Sequence, residues 1–353
     1  MSRSVTQTTV THYEVQNKRR AAVVEEARRN RPAPVIHLAD APLEDNPARR
    51  MRRGVYLGAD GGRPTKVLDS HVHEIPEQTT STIHRHSWDA IMFVTNGSGW
   101  TEIDGQRVEW RPWDTVYLPR WAWHRHGNQG DKPARFVTWS VAPMYEAFGF
   151  GVLEEAGDEA FATLPAPPSS TPFAETGTDS YSRRRRRLAA ERRPPSGAYR
   201  VQTKWEDVNP RVTKRGARSM FLVDESIGYR TSGLTAVMHE LAPARWQARH
   251  RHGGEAYLYV VTGEGHSEVD GVDYPWSAGD LVVVDHWCWH AHFNDDKQRS
   301  SRLIRVHNND ALYDLMRVLL DPLELIEELP DLHDAPDLTG FVWPDPNAGR
   351  PAF

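Results

Sequence analysis

Short apolar runs, broken at close intervals by Gly, Asp and Pro, dominate the middle of the chain. Ile91-Met92-Phe93-Val94, Thr115-Val116-Tyr117-Leu118, Ala256-Tyr257-Leu258-Tyr259-Val260-Val261 and Leu281-Val282-Val283-Val284 are rich in β-branched and aromatic side chains and too short for helices. Asp104-Gly105 and Asp270-Gly271 predict hairpin turns, because these residue types tolerate positive φ. Many short strands with turns at close spacing predict an antiparallel barrel or jelly roll. The pattern changes outside this region. Residues 14–30 suit a polar helix, and the Pro-rich stretch after them suits an extended arm. Residues 311–332 show helix-like apolar spacing interrupted by Pro322 and Pro330. A Pro-rich segment from Leu164, five arginines from Arg183 to Arg187, and Pro194-Pro195 form an interdomain connection, its arginines read as a solvated run.

The chain repeats itself. The segment from His84 aligns without a gap on that from His250 at an offset of 166, over more than forty residues. His84, Arg85 and His86 fall on His250, Arg251 and His252. Gly97, Gly99, Asp104, Gly105, Trp110 and Asp114 fall on Gly263, Gly265, Asp270, Gly271, Trp276 and Asp280. Trp121, Trp123, His124, His126 and Asn128 fall on Trp287, Trp289, His290, His292 and Asn294. The expected organisation is therefore an arm (1–50), a first barrel (51–150), a linker (151–205), a second barrel (206–310) and a helical tail (311–353).

Composition narrows the chemistry. The 353 residues carry a formal net charge of −5, which argues against a generally basic nucleic-acid binder. No apolar run is long enough to cross a bilayer and no signal-peptide pattern opens the chain, so a cytoplasmic protein is expected. The single cysteine, Cys288, excludes an intramolecular disulfide and any Cys-rich metal site. The 17 histidines are the remaining candidates for metal ligands.

An H-x-H pair on a strand puts both imidazoles on one face, and a third His on another strand can close a triangle over a barrel mouth. His84, His86 and His124 form such a set, and His250, His252 and His290 repeat it at identical spacing. His71 and His73 also make an H-x-H pair; they are taken to lack a repeat partner and to be structural. Arg85 and Arg251, between paired ligands, should point outward and serve structure. Most of Trp88, Trp100, Trp121 and Trp123 should pack the core or rim, with one stacking on a substrate ring.

These motifs resemble the cupin superfamily, whose two signatures run roughly G-x5-H-x-H-x3-4-E-x6-G and G-x5-P-x-G-x2-H-x3-N. His124-x3-Asn128 and His290-x3-Asn294 match the second. Where many cupins carry a glutamate ligand, this chain has Ala90 and Ala256; Asp89 and Glu255 stand one residue earlier, facing the other side of a regular strand. The expected inner sphere is three neutral imidazoles with no carboxylate, which leaves a divalent ion its full charge and open positions for an anionic chelator and dioxygen.

Tandem barrels, His-Arg-His, the absent glutamate and the ending Trp-x-Trp-His-x-His-Gly-Asn resemble the gentisate 1,2-dioxygenase group, including salicylate and 1-hydroxy-2-naphthoate dioxygenases. The resemblance implies an all-β fold of two cupin barrels, to which the sequence pattern adds an N-terminal helical arm and a C-terminal helical segment. It implies Fe(II), one per barrel if both are filled, with catalysis in the first barrel on His84, His86 and His124. It also implies an ortho-hydroxybenzoate substrate and O2, and ring opening between the carboxyl- and hydroxyl-bearing carbons. His126 would act as acid/base or orient the substrate. Arg53, then Arg49, would grip the substrate carboxylate. Met92 stands where the group commonly has an arginine, which favours a substituted salicylate such as one with an electron-withdrawing 5-substituent. A homo-oligomer is expected. The rival readings are a non-oxidative metal-dependent cupin, an isomerase or decarboxylase, and a small-molecule-binding bicupin.

Overall fold

The computed structural model describes residues 10–29, 31–165, 176–192, 200–231, 233–308, 327–328 and 334–352. The N-terminal unit, up to Ala33, contains one helix, His12–Arg29. Thr11 opens it reciprocally: the Glu14 amide donates to Thr11 Oγ1 at 3.2 Å, and the Thr11 amide donates to Glu14 Oε2 at 2.7 Å. This agrees with the polar helix read over 14–30. None of the described helices is long and apolar enough to cross a membrane.

The rest of the described chain is mainly antiparallel sheet, built as two copies of a two-sheet barrel. In the first copy a seven-stranded sheet runs Gln202–Thr203, Thr115–Leu118, Ala90–Asn96, Ala134–Ser140, Asp69–Ile75, Met51–Leu57, Glu44–Asn46. It faces a smaller sheet of Leu153–Gly157, Ile83–His86, His124–Asn128, Gly99–Ile103 and Gln106–Trp110, with Thr79–Thr80 paired at one side. The second copy repeats the plan. Its large sheet is Val35–Ile36, Leu281–Val284, Ala256–Thr262, Ser301–His307, Thr235–Leu241, Ala217–Val223, Arg211–Val212, and its small sheet holds Trp246–His252 and His290–Asn294.

The continuous apolar runs are explained by burial on both faces. Along Ala90–Asn96, Ala90, Met92 and Val94 pack inside the barrel, whereas Ile91 and Phe93 enter a second core with Trp139, Trp205, Met220, Tyr257, Tyr259 and Leu281. That second core joins the two large sheets back to back. Both hairpins form as predicted: φ is +47° and +81° at Asp104-Gly105, and +50° and +82° at Asp270-Gly271.

The flanking segments are more structured than arm and linker imply. Val35–Ile36 pairs with Leu281–Val284 of the second barrel, and Gln202–Thr203 pairs with Thr115–Leu118 of the first, so each large sheet has one edge covered by a strand from outside its own repeat. Within the stretch read as a linker, Leu153–Gly157 pairs with the ligand strand Ile83–His86. The arginine run lies on a helix, Ser180–Arg192, started by Asp179, whose Oδ1 accepts from the amides of Tyr181 and Ser182. Arginine is a good helix former, and the cap fixes where the helix begins. Most of the predicted C-terminal helical segment lies outside the described residues; inside it, Glu327–Glu328 is a strand on Trp246–His252, and 334–352 carries turns rather than a helix.

The repeat reaches further than the histidine motifs. Glu74 pairs with Arg52 (3.0 Å) and Arg135 (2.6 Å). Glu240 likewise pairs with Arg218 and, at 3.3 Å, Arg302. His73 therefore does have a partner, His239, at the same offset as Glu74 and Glu240, which corrects its reading as unrepeated. His71 does not: Val237 stands opposite it. Size also trades between copies. Gly127 lies against the Trp100 ring, where an added Cβ would come to 2.2 Å, whereas the second barrel places Phe293 on the smaller His266, stacked at 4.6 Å.

Candidate metal centres

Each triad is assembled by two neighbouring strands of a small sheet. Strand alternation puts His84 and His86 on one face, and cross-strand pairing sets His124 opposite His84. In the second barrel His290 sits opposite His250 in the same way. Ring centroids are 4.1 Å (His84–His124), 4.9 Å (His86–His124) and 5.9 Å (His84–His86) apart. The second set gives 4.2, 4.9 and 5.8 Å. One potential ligand atom from each ring lies within 4.8 Å of the others, and among the described residues these two groups consist of imidazoles alone.

Backbone carbonyls set the tautomers. Nδ1–H of His86 donates to Trp88 O, that of His124 to Ala122 O at 2.9 Å, and those of His250, His252 and His290 to Ala248, Gly254 and Cys288. In all five rings Nε2 thus carries the lone pair. His84 differs, its Nδ1 being buried without a hydrogen-bond partner. Burial drives all six imidazoles down from their ordinary pKa, with neighbouring His or Arg charge adding to it in most; His86 and His290 come to about 4. Neutral rings with converging lone pairs, among them the buried and unbonded Nε2 of His124, fit a divalent transition metal. Asp89 and Glu255 are turned to other tasks: Asp89 accepts from the Arg120 amide, and Glu255 from the Tyr257 hydroxyl.

The first triad opens on a cavity of about 420 Å³. His126 reaches it two residues from His124, its Nδ1 held 2.9 Å from Thr101 Oγ1, and that oxygen accepts from Trp110 Nε1. Burial, with Arg49 second, pushes His126 down to about 3, so it enters a reaction as neutral imidazole. Arg49 and Arg53 both line the cavity, though not from one element: Arg49 sits in the turn before strand Met51–Leu57, which carries Arg53. Arg53 is engaged on both sides, by Asp60 through Nη1 and by His71 through Nη2. Arg49 pairs with Glu155 at 2.6 Å through Nη2, and its Nη1 is buried without a partner. Of the two arginines, Arg49, which the sequence ranked second, is the one with an unbonded guanidinium nitrogen.

Of the four aromatic candidates, only Trp88 lines the cavity, stacked on His86 at 4.8 Å. Arg85 is structural as expected, wedged 4.3 Å over Trp123 and bonded to Glu154; Arg251 lies 4.6 Å over both Trp287 and Trp289. Sequence reasoning missed part of the wall. Asp69, His71, His73, Thr138, Ser140 and Glu155 all face the cavity. The H-x-H signal at 71 and 73 was visible, and strand alternation would have put both rings on one face.

Cupin domains match residues 71–140 and 237–307, one per barrel. The chain thus carries two cupin domains in tandem, the bicupin fold. Its relatives include the gentisate 1,2-dioxygenase of a Streptomyces species, 28% identical over 67% of this chain and 70% of that protein. Another is the 1-hydroxy-2-naphthoate 1,2-dioxygenase of Nocardioides sp. (strain KP7), 23% identical over 74% and 68%. The salicylate 1,2-dioxygenase of Pseudoaminobacter salicylatoxidans, solved as an adduct with gentisate, overlays on the bicupin with a TM-score of 0.61 at 17% identity, covering 93% of this chain and 97% of that one. A 7S globulin of Momordica charantia shares the fold at a TM-score of 0.52 and 16% identity, so the fold by itself does not select a function.

Proposed function

We propose that this bicupin is an Fe(II)-dependent dioxygenase that opens the ring of an ortho-hydroxybenzoate, such as gentisate or a 5-substituted salicylate, between the carboxyl- and hydroxyl-bearing carbons. The observation that carries the reading is the first barrel's cavity, lined both by a carboxylate-free triad and by Arg49, whose buried Nη1 has no hydrogen-bond partner. Fe(II) held by His84, His86 and His124 would supply the redox chemistry with O2. The chain's own residues do the rest. Arg49 takes the substrate carboxylate, with Arg53 behind it, and so fixes the ring against the triad. Neutral His126 stands beside the ligands with Nδ1 bonded to Thr101 Oγ1, placing its other nitrogen to hydrogen-bond the substrate oxygen and orient the ring. Trp88 supplies an apolar face next to His86. The named relatives support this substrate class.

The second triad, His250, His252 and His290, has the same ring geometry and would hold a second ion. Catalysis is assigned to the first barrel because Arg49, Arg53 and the cavity lie there. A homo-oligomer in the cytoplasm completes the reading; exposed Phe148 and Phe150, just before the cavity-lining Leu153 along the chain, suit a subunit contact. The test is anaerobic loading with Fe(II), addition of salicylate, gentisate, 5-aminosalicylate or 5-nitrosalicylate, and then oxygen. A ring-opened ultraviolet absorbance with one O2 consumed per substrate is expected. His84→Ala and His250→Ala should each lose one iron, and only His84→Ala should lose turnover. No oxygen uptake across the panel refutes the activity, and loss of turnover with His250→Ala alone moves it to the second barrel.

A further inference from the structure

The cavity has two unlike walls. The small sheet brings the triad and His126, and the large sheet opposite brings a row of polar side chains. Strand Asp69–Ile75 points Asp69, His71 and His73 inward by period two, and its neighbour Ala134–Ser140 sets Ser140 opposite Asp69, Thr138 opposite His71 and Phe136 opposite His73. Face-packed sheets stand about 10 Å apart, which leaves room for one aromatic ring between the walls. A ring chelated through its carboxylate and ortho-oxygen presents the atoms farthest from those groups to the polar row.

Hydrogen-bond chemistry defines what that row can read. Arginine only donates, so His71 Nε2, bonded to Arg53 Nη2, is an acceptor, and neutral His71 carries its proton on Nδ1. That Nδ1–H lies 3.9 Å from Asp69 Oδ1, beyond hydrogen-bond range. Asp69 accepts from the Ser140 amide at 2.9 Å, and a carboxylate has about four acceptor sites, so acceptance remains. A donor and an acceptor therefore sit side by side, facing the cavity. Burial lifts Asp69 to about 7, so above that pH it stands as a carboxylate acceptor. In the second barrel the matching positions are Thr235 and Val237, so the pair belongs to the first barrel alone, whereas His73 and Glu74 are shared as His239 and Glu240.

We propose that Asp69 and His71 are specificity-determining residues that read the distal substituent of the substrate ring. They favour a group that both donates and accepts hydrogen bonds, a hydroxyl or an amine, over a nitro group or an unsubstituted carbon. The inference rests on the ring-cleavage reading of the same site. A nitro group offers acceptors only and would set its oxygens against the Asp69 carboxylate; a bare C–H leaves both groups unmatched. This runs against the electron-withdrawing 5-substituent suggested by Met92, which is buried in the barrel core and is not among the cavity-lining residues.

The experiment measures kcat/KM for gentisate, 5-aminosalicylate, salicylate and 5-nitrosalicylate in the iron-loaded wild type, Asp69→Asn and His71→Val. Comparing ratios between enzymes cancels the intrinsic reactivity of each ring. The gentisate to 5-nitrosalicylate ratio should fall about ten- to a hundred-fold in Asp69→Asn, because the new amide donates to nitro oxygens, and the gentisate to salicylate ratio should fall at least about ten-fold in His71→Val. Asp69→Asn is nearly isosteric and keeps an oxygen for the Ser140 amide, so it carries the test even if His71→Val does not fold. Ratios unchanged in Asp69→Asn, with wild type cleaving members of the panel, overturn the recognition pair alone. A wild type that cleaves no member overturns the ring-cleavage reading itself.

Discussion

Arg49 offers the sharpest test of the site, because function and stability should move in opposite directions. Its side chain is 15% exposed, and burial lowers its pKa despite Glu155, so the folded chain bears a desolvation cost there. The ion pair returns little, since the Glu155 side chain is 54% exposed and pairs of that kind contribute about 0–1 kcal/mol. The partnerless Nη1 adds to the cost. Arg49→Met keeps the apolar stem and removes the charge. If Nη1 receives the substrate carboxylate, the loss is one charge-assisted hydrogen bond, about 1.5–3 kcal/mol, or roughly 10- to 150-fold in kcat/KM. The carboxylate is bound equally before and during ring opening, so the effect should fall mainly on KM. Thermal stability should hold or rise, and iron content should stay constant. Steady-state oxygen uptake, metal analysis and a melting curve check the three points. A KM changed less than two-fold, or a kcat collapse with lost iron, refutes the role; Arg53→Met, whose guanidinium is already held by Asp60 and His71, should then be the more damaging change.

Other expectations follow from the packing. Asp69 has a folded pKa of about 7 against an ordinary 3.8, so the folded state holds the extra proton between those values and stability falls as pH rises from about 4 to 7; denaturant titrations at pH 5 and 8 should show that slope reduced in Asp69→Asn. Glu240 is fully buried between Arg218 and Arg302, so Glu240→Gln should destabilise by about 3–5 kcal/mol. Glu74→Gln should cost clearly less, because Arg52 and Arg135 are each about 40% exposed. Gly127→Ala pushes a methyl into the Trp100 ring and should cost about 1–3 kcal/mol, relieved by Trp100→His, the residue that faces Phe293 in the other barrel.

Much of the centre was legible in the chain because its determinants are local and occur twice. Two histidines two apart on a strand share a face wherever that strand is placed, and a gapless offset carrying them together with Asp-Gly turns and Trp-x-Trp-His leaves little freedom for a different arrangement. The alanines at 90 and 256 likewise excluded a carboxylate ligand, and Asp89 and Glu255 do bond elsewhere. Misreadings arose where a residue's role depends on a distant partner. Edge strands from outside each repeat turned parts of the arm and linker into parts of the sheets, whereas the arginine run keeps mostly exposed side chains on a helix capped locally by Asp179.

The sequence by itself determined the duplicated β architecture, the two imidazole triads and the absence of a carboxylate from each candidate metal site, since alternation and repetition act over a few residues. Only the tertiary structure decided what faces the first triad. Asp69, His71 and Thr138 come from strands of the opposite sheet, and Asp60 and His71 hold the Arg53 guanidinium whereas Arg49 keeps an unbonded Nη1. Those are contacts across sheet packing and between ion-pair partners, and no spacing along the chain encodes which side chain ends with an unmet hydrogen bond.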